Sequence, residues 1–152
     1  MDEELRETID QTFGEVFETM FFTFLDPMEE LPSRAELVLD DAYVEAVIAY
    51  HGPRPGRFFL YLPYRLARNI TMNFLGVDED GVSDEQALDT AKETANMAVG
   101  SLLGRLDPEG TLKLHIPESR MMDGLPADEL LANPGLRLFN TDFGLLWVVY
   151  EG

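Results

Sequence analysis

Between Ser83 and Leu106 the chain spells out one long helix with its own start signal and two unlike sides. Ser83 stands three residues before Gln86, the spacing of a capping box, and Asp84 and Glu85 place negative charge in the first turn, where the helix dipole favours it. At about 100° per residue, Leu88, Ala91, Ala95, Ala98, Val99, Leu102, Leu103 and Leu106 gather on one side. Asp89, Glu93, Asn96 and Gly100 fall within about 60° of one another on the other. Two carboxylates, a carboxamide and a glycine thus form a stripe aimed at solvent. A rigid helix showing Glu and Asn one turn apart is suited to entering another molecule's site. On residue types alone, an ordinary solvated helix face carries the same residues.

The elements around this helix read as follows. Apolar residues at helical spacing (Leu5, Ile9, Phe13, Val16, Phe17, Met20, Phe21, Phe24) predict a helix over residues 3–25, stopped by Pro27. Residues 36–40 read as a short strand. Tyr43 to Tyr50 and Arg57 to Leu62 read as two strands around a Gly- and Pro-rich turn. Pro63 opens a shorter helix to about Leu75. After the long helix, Thr111 to Ile116 reads as a strand and residues 117–134 as a connection that carries Met121 and Met122. Leu136 to Phe139 and Leu145 to Tyr150 read as a closing hairpin. Trp147 is expected in the core. The strands are adjacent in sequence, which predicts an α+β fold. Its sheet is largely antiparallel, with two long helices and a shorter one on one face, in a single domain over residues 1–152.

The chain also echoes itself. Glu7-Thr8-Ile9-Asp10-Gln11-Thr12-Phe13-Gly14 and Glu93-Thr94-Ala95-Asn96-Met97-Ala98-Val99-Gly100 share the pattern E-T-x-[DN]-x-x-x-G. Leu-Asp-Pro follows both, at 25–27 and 106–108. In both segments the Glu, the Asp or Asn, and the Gly are expected opposite the apolar face. The echo reads as a pseudo-twofold duplication.

Charge narrows the partners. The net charge is −18, with 11 basic residues and no basic cluster, so nucleic acid and anionic membrane are poor partners. The simplest reading of that charge is solubility; the sharper alternative is repulsion of wrong partners and steering toward a basic one. No run of 18 apolar residues is present to span a membrane. The opening MDEELRE has neither signal- nor transit-peptide character, and the expected location is the cytoplasm. The absence of cysteine excludes disulfides, thiolate metal sites and cysteine nucleophiles. Asp78-Glu79-Asp80-Gly81 lacks the alternating ligands and twelfth-position Glu of a calcium loop and reads as a polar turn. His51, in a turn, and His115, in a strand, are expected far apart, so no zinc site is read from them. Neither a P-loop nor a G-x-S-x-G nucleophile motif occurs.

An Asn has a donor and an acceptor and no proton to titrate, so it is a poor base but can hold a water in line with an electrophile. Phosphoryl transfer needs mainly such positioning and charge stabilisation. A carboxylate one turn away can anchor to a lysine of a partner. Gly100 costs a helix interior about 1 kcal/mol relative to Ala, which makes sense where another backbone approaches closely.

The segment D-x-x-x-E-x-x-N (Asp89, Glu93, Asn96), followed by Gly100 and later by Pro117, resembles the signature of the CheC and CheX chemotaxis phosphatase family, and GEVFETMFF resembles the first helix of its CheX members. The resemblance implies hydrolysis of the phospho-aspartate of a CheY-like response regulator. Asn96 would orient the attacking water and Glu93 would pair with the regulator's lysine. Asp89, Gly100 and Pro117 would be partner-binding. Mg²⁺ would be held by the regulator's carboxylates, with no cofactor bound by this chain, and CheX relatives are homodimers. The interval from Asn96 to Pro117 is slightly shorter than the family's usual spacing. Asp10 stands where an active copy of the first helix would carry Asn; a carboxylate donates no hydrogen bond and repels a phosphoryl group, so one working helix is expected. The alternative is a non-catalytic regulator-binding or scaffold module.

Overall fold

Strand alternation sorts the sheet into two unlike faces. The computed structural model describes residues 1–152. Seven strands, β1 (Asp26–Pro27), β2 (Tyr43–His51), β3 (Gly56–Pro63), β4 (Lys113–Leu114), β5 (Glu118–Met122), β6 (Leu136–Thr141) and β7 (Gly144–Glu151), form one sheet. Their order is β1-β6-β7-β3-β2-β4, with β5 also paired to β2, and every pairing is antiparallel. Val44, Ala46 and Ile48 of β2, Phe58, Leu60 and Leu62 of β3, and Leu146 and Val148 of β7 face one way. There α1 (Glu3–Phe21), α2 (Tyr64–Leu75) and α3 (Asp84–Leu106) cover them. Successive side chains point to opposite sides, so Tyr43, Tyr61, Trp147 and Val149 lie on the other face. Leu37 and Leu39, with Ala127 and Leu130 of α4 (Ala127–Leu131), close over that face as a second, smaller core.

The two long helices divide the packing. α1 contributes the fully buried rings of Phe13, Phe17 and Phe21, each worth about 2–3 kcal/mol of burial. Phe13 stacks on Phe139 of β6 at 6.3 Å between ring centres. α3 instead buries Ala87, Ala91, Ala95 and Ala98, together with Thr90 and Thr94, so it can lie close to its neighbours. The capping box is formed as read: the Gln86 N–H donates to Ser83 Oγ at 3.1 Å and the Ser83 N–H to Gln86 Oε1 at 2.9 Å. α2 ends at Gly76, whose φ of 67° is easy only for glycine.

Several boundaries differ from the sequence reading. α1 ends at Phe21, not Leu25, because Phe22 adopts φ 51° and the N–H groups of Phe22 and Thr23 turn back to the Phe17 carbonyl. Residues 36–40 form no strand; a single 3-10 turn, Arg34–Glu36, precedes an irregular segment. The expected connection 117–134 contains β5 and α4, so Met121 and Met122 lie on a strand paired to Val44 and Tyr43. No helix of the chain is long and apolar enough to cross a membrane.

The internal echo extends to topology. α1 is followed by β1, β2 and β3, and α3 by β4, β5, β6 and β7, with the two-residue β4 an addition of the second half. β3 and β7 pair at the sheet's centre, β2 and β6 flank them, and each half's short strand joins the other half: β1 on β6 and β5 on β2. The chemistry of the two helices is not equivalent. Asp10 does not join a solvent-facing stripe as expected. Arg137 occupies a helix-facing position of β6, 3% exposed, and its Nε and Nη2 donate to the two Asp10 carboxylate oxygens at 2.8 and 2.7 Å. A buried guanidinium needs a carboxylate beside it, and Asp10 is turned inward to supply one.

Candidate functional site

α3 carries its polar stripe over the edge of the sheet where β4 and β5 return. At its far end the Asp107 N–H caps the helix on the Leu103 carbonyl at 2.8 Å. The Asp107 carboxylate then accepts from the Leu112 N–H and the Thr111 hydroxyl, both at 2.7 Å. Those bonds hold the carboxyl below its ordinary range and fix the turn that delivers residues 113–117 alongside the helix. The wall is pinned twice more: Ser119 Oγ donates to the Leu88 carbonyl at 2.9 Å, and the His115 N–H donates to the Ala49 carbonyl at 2.8 Å.

Between helix and wall runs an open groove of about 480 Å³ lined by Asp89, Lys92, Glu93 and Asn96 on one side and Leu114, His115, Ile116 and Pro117 on the other. Four of the five residues singled out from the sequence therefore share one groove. Gly100 lies farther along α3, in a neighbouring depression with Leu114 and Lys113. Asp89 pairs with Lys92 at 3.3 Å. Glu93 is exposed and Asn96 half-buried, and neither side chain is engaged by the rest of the chain, so both are free to bond outward. On the other flank of the same helix face, Phe74 and Leu75 at the end of α2 form a second depression with Gln86, Asp89, Thr90 and Glu93.

His115 and Ile116 were not legible from spacing, because strand pairing brings the wall to the helix; Lys92, one turn from Asp89 and Asn96 on α3, obeys the same helical spacing and was passed over. The two histidines are not far apart as expected. His115 Nε2 lies 2.7 Å from His51 Nδ1, with ring centres 4.7 Å apart, because β2 and the β4 segment run side by side. They satisfy each other as one donor and one acceptor, and His115 faces the groove. The Asp78–Gly81 segment is a 3-10 turn whose Glu79 pairs with Arg68 at 2.9 Å.

Charge limits what this site can do alone. Of the chain's 11 basic residues, all but Arg54 and Lys113 are committed to ion pairs. The one cation in the groove, Lys92, is already matched by Asp89. Nothing here can neutralise a phosphoryl group by itself, so a reaction at this groove must take its positive charge from a partner.

Comparison with known proteins agrees with the family resemblance. The family described as chemotaxis phosphatase CheX matches residues 44–138, more than half of the chain. No curated protein matches. Among solved structures, the chemotaxis protein CheX of Vibrio vulnificus is 20% identical over 97% of this chain and 98% of its own, with a TM-score of 0.75. CheX in a CheX–CheY–BeF3–Mg²⁺ complex from Borrelia burgdorferi is 15% identical over 97% of this chain and 96% of its own, with a TM-score of 0.67. FliY of Thermotoga maritima is 13% identical over 100% of this chain and 92% of its own, with a TM-score of 0.59. At these identities the structures speak for the fold.

Proposed function

The chain belongs to the CheX chemotaxis phosphatase family, and from that premise we propose that it hydrolyses the aspartyl phosphate of a CheY-like receiver domain, with Glu93 and Asn96 as its working side chains. The observation that carries this reading is that Glu93 and Asn96 stand unengaged on the open side of a capped, rigid helix, in one groove with Asp89 and Pro117. The solved CheX–CheY complex from Borrelia burgdorferi supports the choice of partner class.

In the proposed reaction the helix enters the receiver's phosphorylation site. The Asn96 carboxamide accepts one hydrogen bond from a water and donates another to the phosphoryl group, which holds the water in line with phosphorus. The water oxygen forms a bond to phosphorus as the bond to the aspartate oxygen breaks. The products are inorganic phosphate and the free carboxylate, and the water's proton leaves with phosphate. Asn96 gains and loses no proton, which suits a loose transition state in which little nucleophile activation is required. Glu93 pairs with the receiver's lysine and fixes the helix in register; Asp89, Gly100 and Pro117 complete the contact. Mg²⁺ belongs to the receiver's carboxylates and supplies the charge stabilisation that this groove lacks. The reaction takes place in the cytoplasm.

The test is the decay of phosphate on each receiver domain of the source genome, with the wild-type protein, Asn96→Ala or Glu93→Ala. Asn96→Ala should retain binding and lose about 100-fold or more in rate, the cost of a mispositioned nucleophile. Glu93→Ala should chiefly weaken engagement. Full activity in both variants would remove the site assignment. Binding without accelerated decay by the wild type would replace hydrolysis with the non-catalytic module.

A further inference from the structure

The polar stripe of α3 lies between two apolar lips that the chain itself leaves uncovered. On the wall side Ile116 is 89% exposed beside Pro117, and both line the groove with Glu93 and Asn96. On the other side Phe74 and Leu75, 40% and 44% exposed, line the depression that contains Asp89 and Glu93. The end of α1 is tied to this second lip. Phe21 packs on Phe74 with ring centres 5.5 Å apart, and Asn73 Nδ2 donates to the Phe21 carbonyl at 3.0 Å. The next residue, Phe22, is 76% exposed and sits at φ 51°. A bulky side chain in the left-handed region costs about 1 kcal/mol or more, and glycine would occupy that cap at no cost. A chain of net charge −18 thus keeps a strained, solvent-facing phenylalanine next in sequence to the ring that packs on this lip.

We infer that the lips formed by Phe22, Phe74 and Leu75 and by Ile116 and Pro117 are the partner-selecting surface of this site. It takes a phosphorylated receiver domain that carries apolar side chains on both flanks of its phosphorylation site. The inference rests on the hydrolytic reading for the identity of the partner. Three observations favour this occupant. Each lip is continuous with the carboxylates that would meet the receiver's cation. Closure of both lips excludes water from that ion pair, where its attraction is stronger than in solvent. The surface between them carries Asp89 and Glu93, so it complements the receiver's lysine and rejects an anionic membrane. The lips contribute ground-state binding and do not touch the reacting atoms, so they act on KM and on the choice among receivers.

The experiment measures phosphate loss and, separately, binding of a receiver activated with beryllofluoride and Mg²⁺. Phe74→Asp and Ile116→Asp should each raise KM and the dissociation constant by about tenfold or more while kcat stays within about twofold. Phe22→Gly should weaken binding in the same sense while its melting temperature holds or rises, an outcome that loss of fold cannot imitate. Val38→Asp serves as the control. Val38 is 90% exposed and lies between Leu37 and Leu39 on the opposite face of the sheet, so its KM should not move. Unchanged KM and binding in all three lip variants would overturn the inference. So would lip variants that alter only self-association, which would assign the lips to a second copy of the chain. A wild type that binds through the lips but hydrolyses nothing would sink the hydrolytic reading and leave the surface standing.

Discussion

Gly100 occupies a position where a methyl group would fit. A Cβ there would lie 3.5 Å from Leu114 Cδ1, an ordinary contact, so nothing inside the chain requires glycine. The helix nevertheless gives up about 1 kcal/mol relative to Ala at this point. Gly100→Ala should therefore raise the melting temperature by about 2–4 °C in a domain of this size. If a receiver backbone approaches the stripe at Gly100, the same variant should raise KM. A gain in melting temperature with KM unchanged would remove Gly100 from the contact. At this scale the polar half of the groove was legible: Asp89, Glu93 and Asn96 obey helical spacing, a local rule that needs no knowledge of the fold. Pro117 was reached only through the family resemblance. His115 and Ile116 as groove residues, and His51 behind them, depend on which strand lies against α3. No local periodicity encodes that, and two histidines 64 positions apart in sequence meet only through sheet pairing.

The difference between α1 and α3 is settled by one ion pair. Asp10 takes the place that Asn96 holds in the echoing segment, yet it is spent on Arg137, whose remaining hydrogen bond is to the Met28 carbonyl at 3.4 Å. Asp10→Ala leaves a buried guanidinium without its counterion, at a cost of about 3–5 kcal/mol. That corresponds to a fall of about 10 °C or more in melting temperature. Pairing Asp10→Leu with Arg137→Met should recover most of the loss, because apolar replacement of both partners removes the desolvation penalty along with the attraction. Thermal unfolding of the three proteins checks this. A negligible effect of Asp10→Ala would mean that the pair holds nothing together and that Asp10 is free for another role. The long elements were legible because each is specified by its own residues: the capped α3, the two hairpins, and α2 up to Gly76. The short ones were not. β5 reads Glu-Ser-Arg-Met-Met, with charges at alternate positions and little strand character, and becomes a strand only by pairing with β2. The early end of α1 was hidden because apolar spacing continues through Phe24, while the left-handed cap at Phe22 ends the hydrogen-bond ladder first.

As a whole the molecule is an acidic body whose few cations are nearly all neutralised internally, and this governs how it meets a second copy of itself. A homodimer, proposed from the family resemblance, must bring together two chains of −18 each. β4 and β5 share the outer side of β2 and have no strand beyond them, which leaves β5 as the longer open edge of the sheet. Glu118 and Arg120 alternate along it, with Arg120 already paired to Glu45 of β2, so register decides which charges meet across an antiparallel edge. Repulsion between the two bodies is long-ranged and the pairing at the edge is short-ranged. Salt that shortens the screening length to about 10 Å or less should weaken the first far more than the second. Association should therefore strengthen as sodium chloride is raised, the reverse of what a contact built on surface ion pairs would do. Sedimentation velocity at one protein concentration in low and high salt reads this directly. A dimer fraction that rises with salt supports edge-to-edge pairing, and dissociation by salt would place the contact on charged side chains instead. A monomer throughout would show that one copy, with a single α3 stripe and its two lips, is the working unit.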